Sequence, residues 1–125
     1  MLRVAIVDDD TSHCRALARL LRVSGMEALT YSSAEEYLGH RSEQTFDCLV
    51  LDIQLGGMSG FELQSRLAVT DPALPIVFLS AHEEPETVAR AARTGCAYVR
   101  KTEPGLTLLD AIRRAAAGHS PVPKG

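Results

Sequence analysis

The 125-residue chain contains no tryptophan, and aromatic side chains make up only 5% of it. Proteins that hold single-stranded nucleic acid stack its bases on such side chains, so the composition argues against this kind of binding. Basic residues are also few, since 13 Lys and Arg stand against 16 Asp and Glu and give a net charge of −3. Phosphate backbones are bound by basic surfaces, and the chain is therefore not expected to bind nucleic acid directly.

Cysteines and long apolar runs are scarce as well. The three cysteines, Cys14, Cys48 and Cys96, form no C-x-x-C pair, which favours free thiols buried in a reducing compartment. No run of about 18 apolar residues occurs, so no membrane span is expected, and the first residues show no signal-peptide pattern. With 46% hydrophobic and 23% charged residues, the sequence predicts one globular domain in the cytoplasm.

Five short apolar runs alternate with helical patterns along the chain. Val, Ile and Leu fill the first, third and fourth runs almost continuously, which is typical of central strands covered on both faces. The second and fifth runs include polar residues, as edge strands do. The runs are Leu2–Val7, Glu27–Tyr31, Cys48–Leu51, Ile76–Leu79 and Ala97–Arg100.

Each run is followed by a segment with helix start and stop signals. Capping boxes open the second and third segments, and prolines stand at the start of the fourth and fifth. In the last segment Leu106, Leu109 and Ile112 are expected to face inward. The segments are Thr11–Val23, one beginning at Ser33, one beginning at Ser59, Pro85–Gly95 and Pro104–Gly118.

A strand followed by a helix, repeated five times, predicts an α/β fold with a parallel sheet covered by helices on both faces. A closed barrel of this kind needs about 250 residues, so an open, doubly wound sheet is expected instead. Residues 1–118 are expected to form this domain. Residues 119–125 lack periodicity and are expected to be a tail or the stub of a linker.

Polar side chains stand where four of the strands end. Because the carboxyl ends of parallel strands meet at one edge of the sheet, these side chains are expected to gather there, where ligands of such sheets bind. Neighbouring carboxylates raise one another's pKa unless a cation lies between them, and a lysine or Mg²⁺ can supply that cation. In strand order the residues are Asp8, Asp9 and Asp10, then Asp52, Ser80 and Lys101.

The combination favours phosphoryl transfer. Asp52 can act as a nucleophile toward phosphorus, with Mg²⁺ and the Lys101 ammonium beside the transferring group and the Ser80 hydroxyl donating to one of its oxygens. Each residue alone has another interpretation: Asp9 or Asp10 can cap the first helix, Ser80 can cap the fourth, and Lys101 can be a solvated surface charge. Four separate strand ends with suitable side chains favour the functional interpretation.

These residues lie in motifs that resemble the receiver domain of two-component response regulators, nearest to receivers that precede helix-turn-helix output domains. The resemblance extends from Leu2 to about Gly118. It implies a flavodoxin-like sheet in the order 2-1-3-4-5 and a phosphorylation-activated signalling switch. The motifs are Val7-Asp8-Asp9-Asp10, the segment from Leu51 to Gly60, Leu79-Ser80-Ala81 and Tyr98-Val99-Arg100-Lys101.

The resemblance assigns roles to three of the four acidic residues, Asp8, Asp9 and Asp52, and to Gln54. Asp52 would accept a phosphoryl group from a histidine kinase or a phosphotransfer protein. Asp9 and Asp52 would ligate Mg²⁺, with Mn²⁺ able to replace it. Asp8 would act on the ion through water, and Gln54 would act through its backbone carbonyl.

The resemblance also implies how the signal leaves the site. Ser80 and Tyr98 would form a switch pair, in which the hydroxyl moves toward the phosphoryl group and the ring rotates inward. The new dianion at Asp52 would thereby reshape an output face made of helix 4, strand 5 and helix 5. An output domain, a partner protein or a second copy in a phosphorylation-dependent homodimer would bind there. For Tyr98 the alternative is simple packing on an edge strand.

Two departures from the family pattern concern Lys101. Many members have a proline after this lysine, joined by a cis bond, where this chain has Thr102. The stretch from Gly95 to Lys101 is also one residue shorter than is common. The loop is therefore expected to be either strained or differently routed. The resemblance to receivers that precede output domains implies that the chain is either the receiver cut from a DNA-binding transcriptional regulator or a single-domain regulator.

Gln54 and His82 stand two residues beyond Asp52 and Ser80, beside the path of an attacking water. Changing either is predicted to alter the lifetime of the phosphoryl group, although His82 can equally be an exposed residue without a role.

The alternative enzyme is a phosphatase that forms an aspartyl-phosphate, which typically has a second acid where this chain has Gln54. A binding module that is not phosphorylated is the third candidate. Nucleotide-binding glycine motifs are absent after the first strand.

Overall fold

The computed structural model describes residues 1–40, 43–81 and 84–118. Over these residues five strands alternate with five helices, as the sequence predicts. None of these helices is long and apolar enough to cross a membrane. In chain order the elements are β1 (Arg3–Val7), α1 (Thr11–Val23), β2 (Glu27–Tyr31), α2 (Ala34–His40), β3 (Cys48–Asp52), α3 (Gly60–Thr70), β4 (Ile76–Ser80), α4 (Pro85–Thr94), β5 (Ala97–Arg100) and α5 (Gly105–Gly118).

The strands form one parallel sheet in the order β2-β1-β3-β4-β5, which confirms the predicted doubly wound topology. The two runs that mix polar with apolar residues, β2 and β5, lie at the edges. In the register, Asp52 stands opposite Leu79, and Ser80 stands opposite Arg100. The last residues of the central strands are therefore level with one another, at the edge of the sheet where ligands bind in this kind of fold.

Side chains of the central strands alternate between two cores. Val4 and Ile6 of β1 pack on the face covered by α1 and α5, whereas Ala5 and Val7 pack on the face covered by α2, α3 and α4. All five residues of β3 are buried. Burial on both faces explains why the central runs are almost continuously apolar.

One inward-facing residue was predicted wrongly. Leu106 is 76% exposed, whereas Leu108, Leu109 and Ile112 are buried in the core. At 100° per residue the centre of this buried stripe lies roughly 110° from Leu106, which sits in the first turn of α5. Spacing alone did not show that Leu108 rather than Leu106 faces the core, because both lie within three residues of Leu109.

The predicted caps are present in most of their detail. Asp10 caps α1, because its carboxylate accepts a hydrogen bond from the backbone N–H of His13. Ser59 and Glu62 form a complete capping box at the start of α3. The box predicted at Ser33 is only half formed: Ser33 accepts from the amide of Glu36, whose carboxylate turns to Ser32 instead.

Gly60 sets the distance between α3 and the end of β3. Its backbone N–H donates to the carbonyl of Ile53 at 3.1 Å. A Cβ at this position would contact the backbone carbonyl of Asp52 and would lie 2.8 Å from the Cα of Ile53. The first turn of α3 therefore depends on a residue without a side chain.

We expect Gly60→Ala to lower the free energy of unfolding by about 1–3 kcal/mol, because the helix must move away from β3. The matched control is Gly39→Ala in α2, where a Cβ would meet nothing within 4 Å. That change is expected to be neutral or to stabilise the helix by up to about 1 kcal/mol. Urea denaturation measures both, and equal effects of the two changes would contradict the role of Gly60.

Candidate functional site

The carboxyl ends of four strands bring the predicted polar residues to one edge of the sheet. Asp8 follows β1, Asp52 and Ser80 are the last residues of β3 and β4, and Lys101 follows β5. Asp8, Asp52 and Ser80 are the buried polar residues of the described chain, with 1%, 2% and 0% of their surface exposed. Buried polar groups are costly unless they are paired, so these side chains are expected to have partners at this edge.

Lys101 bridges the acids of two strands. Its Nζ lies 2.8 Å from Oδ2 of Asp52 and 3.2 Å from Oδ2 of Asp8. The predicted gathering of these residues is therefore observed. The bond from Lys101 to Thr102 is trans, and the Lys101 amide donates to the carbonyl of Ser80 at 2.8 Å. The loop is thus routed without the cis bond, and the lysine still reaches both carboxylates.

His13 is a contact of the site that the sequence interpretation missed. Its Nδ1 lies 2.6 Å from Oδ2 of Asp8, while the amide of Asp10 donates to Oδ1 of the same carboxylate at 2.9 Å. Because Asp10 caps α1, the third residue of the helix faces back toward the end of β1. The sequence signal for this contact is a histidine that stands five residues after Asp8 and three residues after the capping Asp10.

The two buried carboxylates have opposite pKa shifts. Burial alone raises the pKa of Asp8, but the His13 and Asp10 hydrogen bonds and the Lys101 ammonium together lower it below the ordinary value. For Asp52 burial prevails and raises the pKa, although Lys101 and the Gln54 amide act against it. Asp8 has one more donor than Asp52, and its own charge adds to the rise at Asp52.

The lysine is held in its charged form. Burial lowers the pKa of Lys101, but its hydrogen bond to Asp52 and the charges of both carboxylates outweigh burial and raise it. An ammonium is therefore fixed beside the Asp52 carboxylate at every pH at which the protein is expected to work. It is placed to contact a further anionic group at Asp52.

Oxygen atoms of Asp8, Asp9 and Asp52 lie within 4.8 Å of one another. Asp9 is exposed, and its Oδ2 accepts a hydrogen bond from the amide of Gly56 at 3.2 Å. A set of carboxylate oxygens with one side open to solvent fits a hard divalent cation such as Mg²⁺, which keeps several waters. Asp10 has its carboxylate on the helix amide instead, so of the two predicted capping candidates it is the cap.

The remaining predicted residues lie at different distances from the cluster. The amide of Gln54 donates to Oδ1 of Asp52 at 2.9 Å, while its side chain is exposed. Ser80 is buried at the end of β4, and Tyr98 is half-buried on β5 against the core of the α2, α3 and α4 face. His82 lies outside the described residues, as do residues 119–125 of the predicted tail.

We expect His13→Ala to lower the free energy of unfolding by about 1–2 kcal/mol, because a buried carboxylate loses one of its hydrogen-bond donors. The control is His40→Ala, which removes a histidine that pairs with Glu43 at 3.3 Å on the exposed surface. Such surface pairs contribute little, so this change is expected to cost about 0.5 kcal/mol or less. Chemical denaturation in metal-free buffer measures both; an equal loss would show that the contact to Asp8 has no special weight.

Fold and site together define the class of protein. It is a flavodoxin-like domain with a buried aspartate at the end of the third strand, which a lysine bridges to the acid that follows the first strand, and with a third carboxylate close by. The model of the response regulator receiver domain family matches residues 4–113, and the chain belongs to this family.

Relatives with known names agree with this assignment. Nodulation protein W of Bradyrhizobium diazoefficiens is 36% identical over 110 residues, which cover 87% of this chain and 48% of that protein. The response regulator protein TmoT of Ectopseudomonas mendocina is 34% identical over 113 residues, or 90% and 51% of the two chains. A CheY-like receiver domain protein from Methanospirillum hungatei JF-1 superposes with a TM-score of 0.86 at 25% identity, over 95% and 96% of the chains. The chain thus spans about half the length of the curated relatives it matches.

Proposed function

We propose that the chain is a phosphorylation-activated switch in which Asp52 accepts a phosphoryl group from the phosphohistidine of a histidine kinase or a phosphotransfer protein. The observation that supports this most is the buried Asp52 carboxylate, with the Lys101 ammonium at 2.8 Å and two further acids beside it. An ion pair that only stabilised the fold would need a single carboxylate beside the lysine. The two further carboxylates repel Asp52 and destabilise the fold unless a cation is bound there.

Each group has a part in the transfer. An oxygen of Asp52 attacks phosphorus, the bond from phosphorus to the imidazole nitrogen of the donor breaks, and an acyl phosphate forms on Asp52. Lys101 then contacts an oxygen of the phosphoryl group and offsets part of its charge. Asp9, Asp52 and the carbonyl of Gln54 would hold Mg²⁺ or Mn²⁺, with Asp8 acting through water, and the ion would neutralise charge on the phosphoryl oxygens.

The phosphoryl group acts on the rest of the domain through Ser80 and Tyr98. Ser80 ends β4 next to β5, and Tyr98 stands opposite Phe78, two residues before the level of Ser80. A hydroxyl drawn toward the new dianion leaves space behind it, which the Tyr98 ring fills by turning inward. The surface of α4, β5 and α5 changes as a result and binds the next component.

That component is an output domain, a partner protein or a second copy of the chain. A further relative, the transcriptional regulatory protein TdiR of Thauera aromatica, is 34% identical over 115 residues, which cover 91% of this chain and 51% of that protein. We therefore propose that the chain is the receiver part of a transcriptional regulator, with a single-domain regulator as the alternative. Phosphorylation would promote a homodimer through the same surface.

The domain is also proposed to promote its own dephosphorylation, with Gln54 and His82 setting the lifetime of the phosphoryl group. A phosphatase for small molecules is the competing function. It is disfavoured because position 54, where an acid would protonate the leaving group, is an amide. The labelling experiment is incubation with acetyl phosphate and Mg²⁺ followed by mass spectrometry. Labelling by one phosphoryl group per chain supports the switch, and steady release of phosphate from small phosphoesters, over many turnovers per chain, supports the phosphatase.

A further inference from the structure

Three carboxylates in succession hold the loop between β3 and α3, residues 53–59. Every second backbone amide of this loop donates to a side chain from another part of the molecule or from the end of β3. The three donor–acceptor pairs are Gln54 to Asp52 (2.9 Å), Gly56 to Asp9 (3.2 Å) and Met58 to Glu35 (3.0 Å). The first two acceptors belong to the proposed cation site, whereas the third does not.

Glu35 differs from the other two acceptors in its origin. It lies in the first turn of α2, and its Oε2 accepts a hydrogen bond from the Met58 amide of the loop at 3.0 Å. Hydrogen bonds from its own backbone amide and from Met58 lower the pKa of Glu35, so the carboxylate is charged at neutral pH. The first part of the loop is therefore hydrogen-bonded to the site acids, and its end is hydrogen-bonded to α2, which contributes no other residue to the site.

Gly57 makes this contact sterically feasible. Its φ is +69°, a left-handed conformation that favours glycine, and a Cβ there would lie 3.0 Å from Oε2 of Glu35. Glycine therefore stands at the position of the loop where a side chain would meet the Glu35 carboxylate.

We infer that Glu35 is a positioning residue for the divalent cation, an inference that rests on the proposed function. A cation bound at Asp9 would share that carboxylate with the Gly56 amide and would weaken the middle hydrogen bond of the loop. Glu35 is not a ligand, so its tie to Met58 persists and keeps the Gln54 carbonyl and the Gly56 amide in place. Groups of this kind, which orient ligands without touching the metal, commonly change metal affinity by tenfold or more.

The test compares three substitutions at one position by calorimetric titration with MgCl₂. Glu35→Ala removes charge and contact and is expected to raise the Kd for Mg²⁺ about tenfold. Glu35→Asp keeps the charge but is one methylene too short to reach Met58, so it is expected to behave like the alanine variant. Glu35→Gln keeps an acceptor oxygen for the amide and is expected to recover most of the affinity.

The control is Glu86→Ala on α4, which removes the same charge from an exposed position. Glu86→Ala is expected to leave the Kd for Mg²⁺ unchanged. If it raised the Kd as much as Glu35→Ala does, the effect would be one of net charge and the inference would be overturned. Wild-type affinity in Glu35→Asp would overturn it as well. Hydrogen exchange is expected to quicken at the amides of Gly56 and Met58 in the alanine and aspartate variants, with unchanged urea midpoints.

The two proposals fail in different ways. If the wild-type chain binds no Mg²⁺, the proposed function fails and the inference fails with it. If the wild-type chain binds Mg²⁺ and all three variants bind it equally, the function stands and the role of Glu35 is refuted. If Glu35→Ala does not fold, the contrast between Glu35→Asp and Glu35→Gln decides the question, because only one of them keeps the contact.

Discussion

Replacing Asp52 with asparagine is expected to abolish the Mg²⁺-dependent transfer of a phosphoryl group from acetyl phosphate to the chain. An amide is not a nucleophile toward phosphorus, so the acceptor is lost even though Lys101 and the other acids remain. The change is nearly isosteric, and the asparagine keeps an oxygen that can accept the Gln54 amide, now 2.9 Å from Oδ1 of Asp52. Intact-mass spectrometry before and after incubation measures the result directly.

The matched control for this experiment is Asp110→Asn. Asp110 lies on α5 and pairs with Arg114 at 3.0 Å on the exposed surface. The control makes the same chemical change far from the site and is expected to leave labelling unchanged. A phosphoryl group on the Asp52→Asn chain would place the acceptor elsewhere and would refute the proposed function, as would a wild-type chain that is not labelled with Mg²⁺ present.

Most of the fold and the centre of the site follow from patterns that are local in sequence. Continuous Val, Ile and Leu runs identify the central strands because both faces of β3 and β4 are buried. Since parallel strands align their carboxyl ends, the residue after each run is sufficient to predict that Asp52 and Lys101 meet. The topology supplies the contact, and no long-range information is needed.

Contacts that depend on distances between separate elements were not predictable in this way. The approach of His13 to Asp8 depends on how the first turn of α1 is capped, and that of Glu35 to Met58 depends on where α2 lies relative to a loop 23 residues away. The sequence also left the route of the loop after Lys101 open, because Thr102 does not by itself fix the path of the backbone there. The switch role of Ser80 and Tyr98 stays a prediction, since a single conformation does not reveal a change between two.

The second large effect is expected from Lys101→Met in metal-free buffer containing a chelator. Lys101 is the ammonium between two buried carboxylates, at 2.8 Å from Asp52 and 3.2 Å from Asp8. Methionine has a similar length but leaves both charges without this counterion. Removing one partner of a buried ion pair is strongly destabilising, and we expect a loss of about 3 kcal/mol in the free energy of unfolding at pH 7.

The loss is expected to depend on pH in a defined direction. The folded-state pKa of Asp52 is already raised, so protons bind the folded state more tightly there, and stability gained from that group increases as pH falls. Without Lys101 the raised pKa of Asp52 rises further and the lowered pKa of Asp8 rises as well, because the ammonium lowers each of them in the wild-type chain. The variant therefore takes up protons at higher pH than the wild type, and a protonated carboxyl no longer needs the lysine. The difference in stability is expected to be largest near pH 7 and to shrink as pH falls through the range in which these two groups titrate.

Urea denaturation of both chains between neutral and mildly acidic pH measures this dependence, with Arg114→Met as the control for loss of an exposed cation. Arg114 pairs with Asp110 at the surface, so its change is expected to cost little at any pH. Combining Lys101→Met with Asp52→Asn tests the cause, because the double variant lacks one of the charges that the lysine offsets. We expect lysine removal to cost less in that background than in the wild type. A cost that is the same in both backgrounds and at every pH would mean that Lys101 acts by packing alone, and the charge balance on which phosphoryl transfer depends would then need another source.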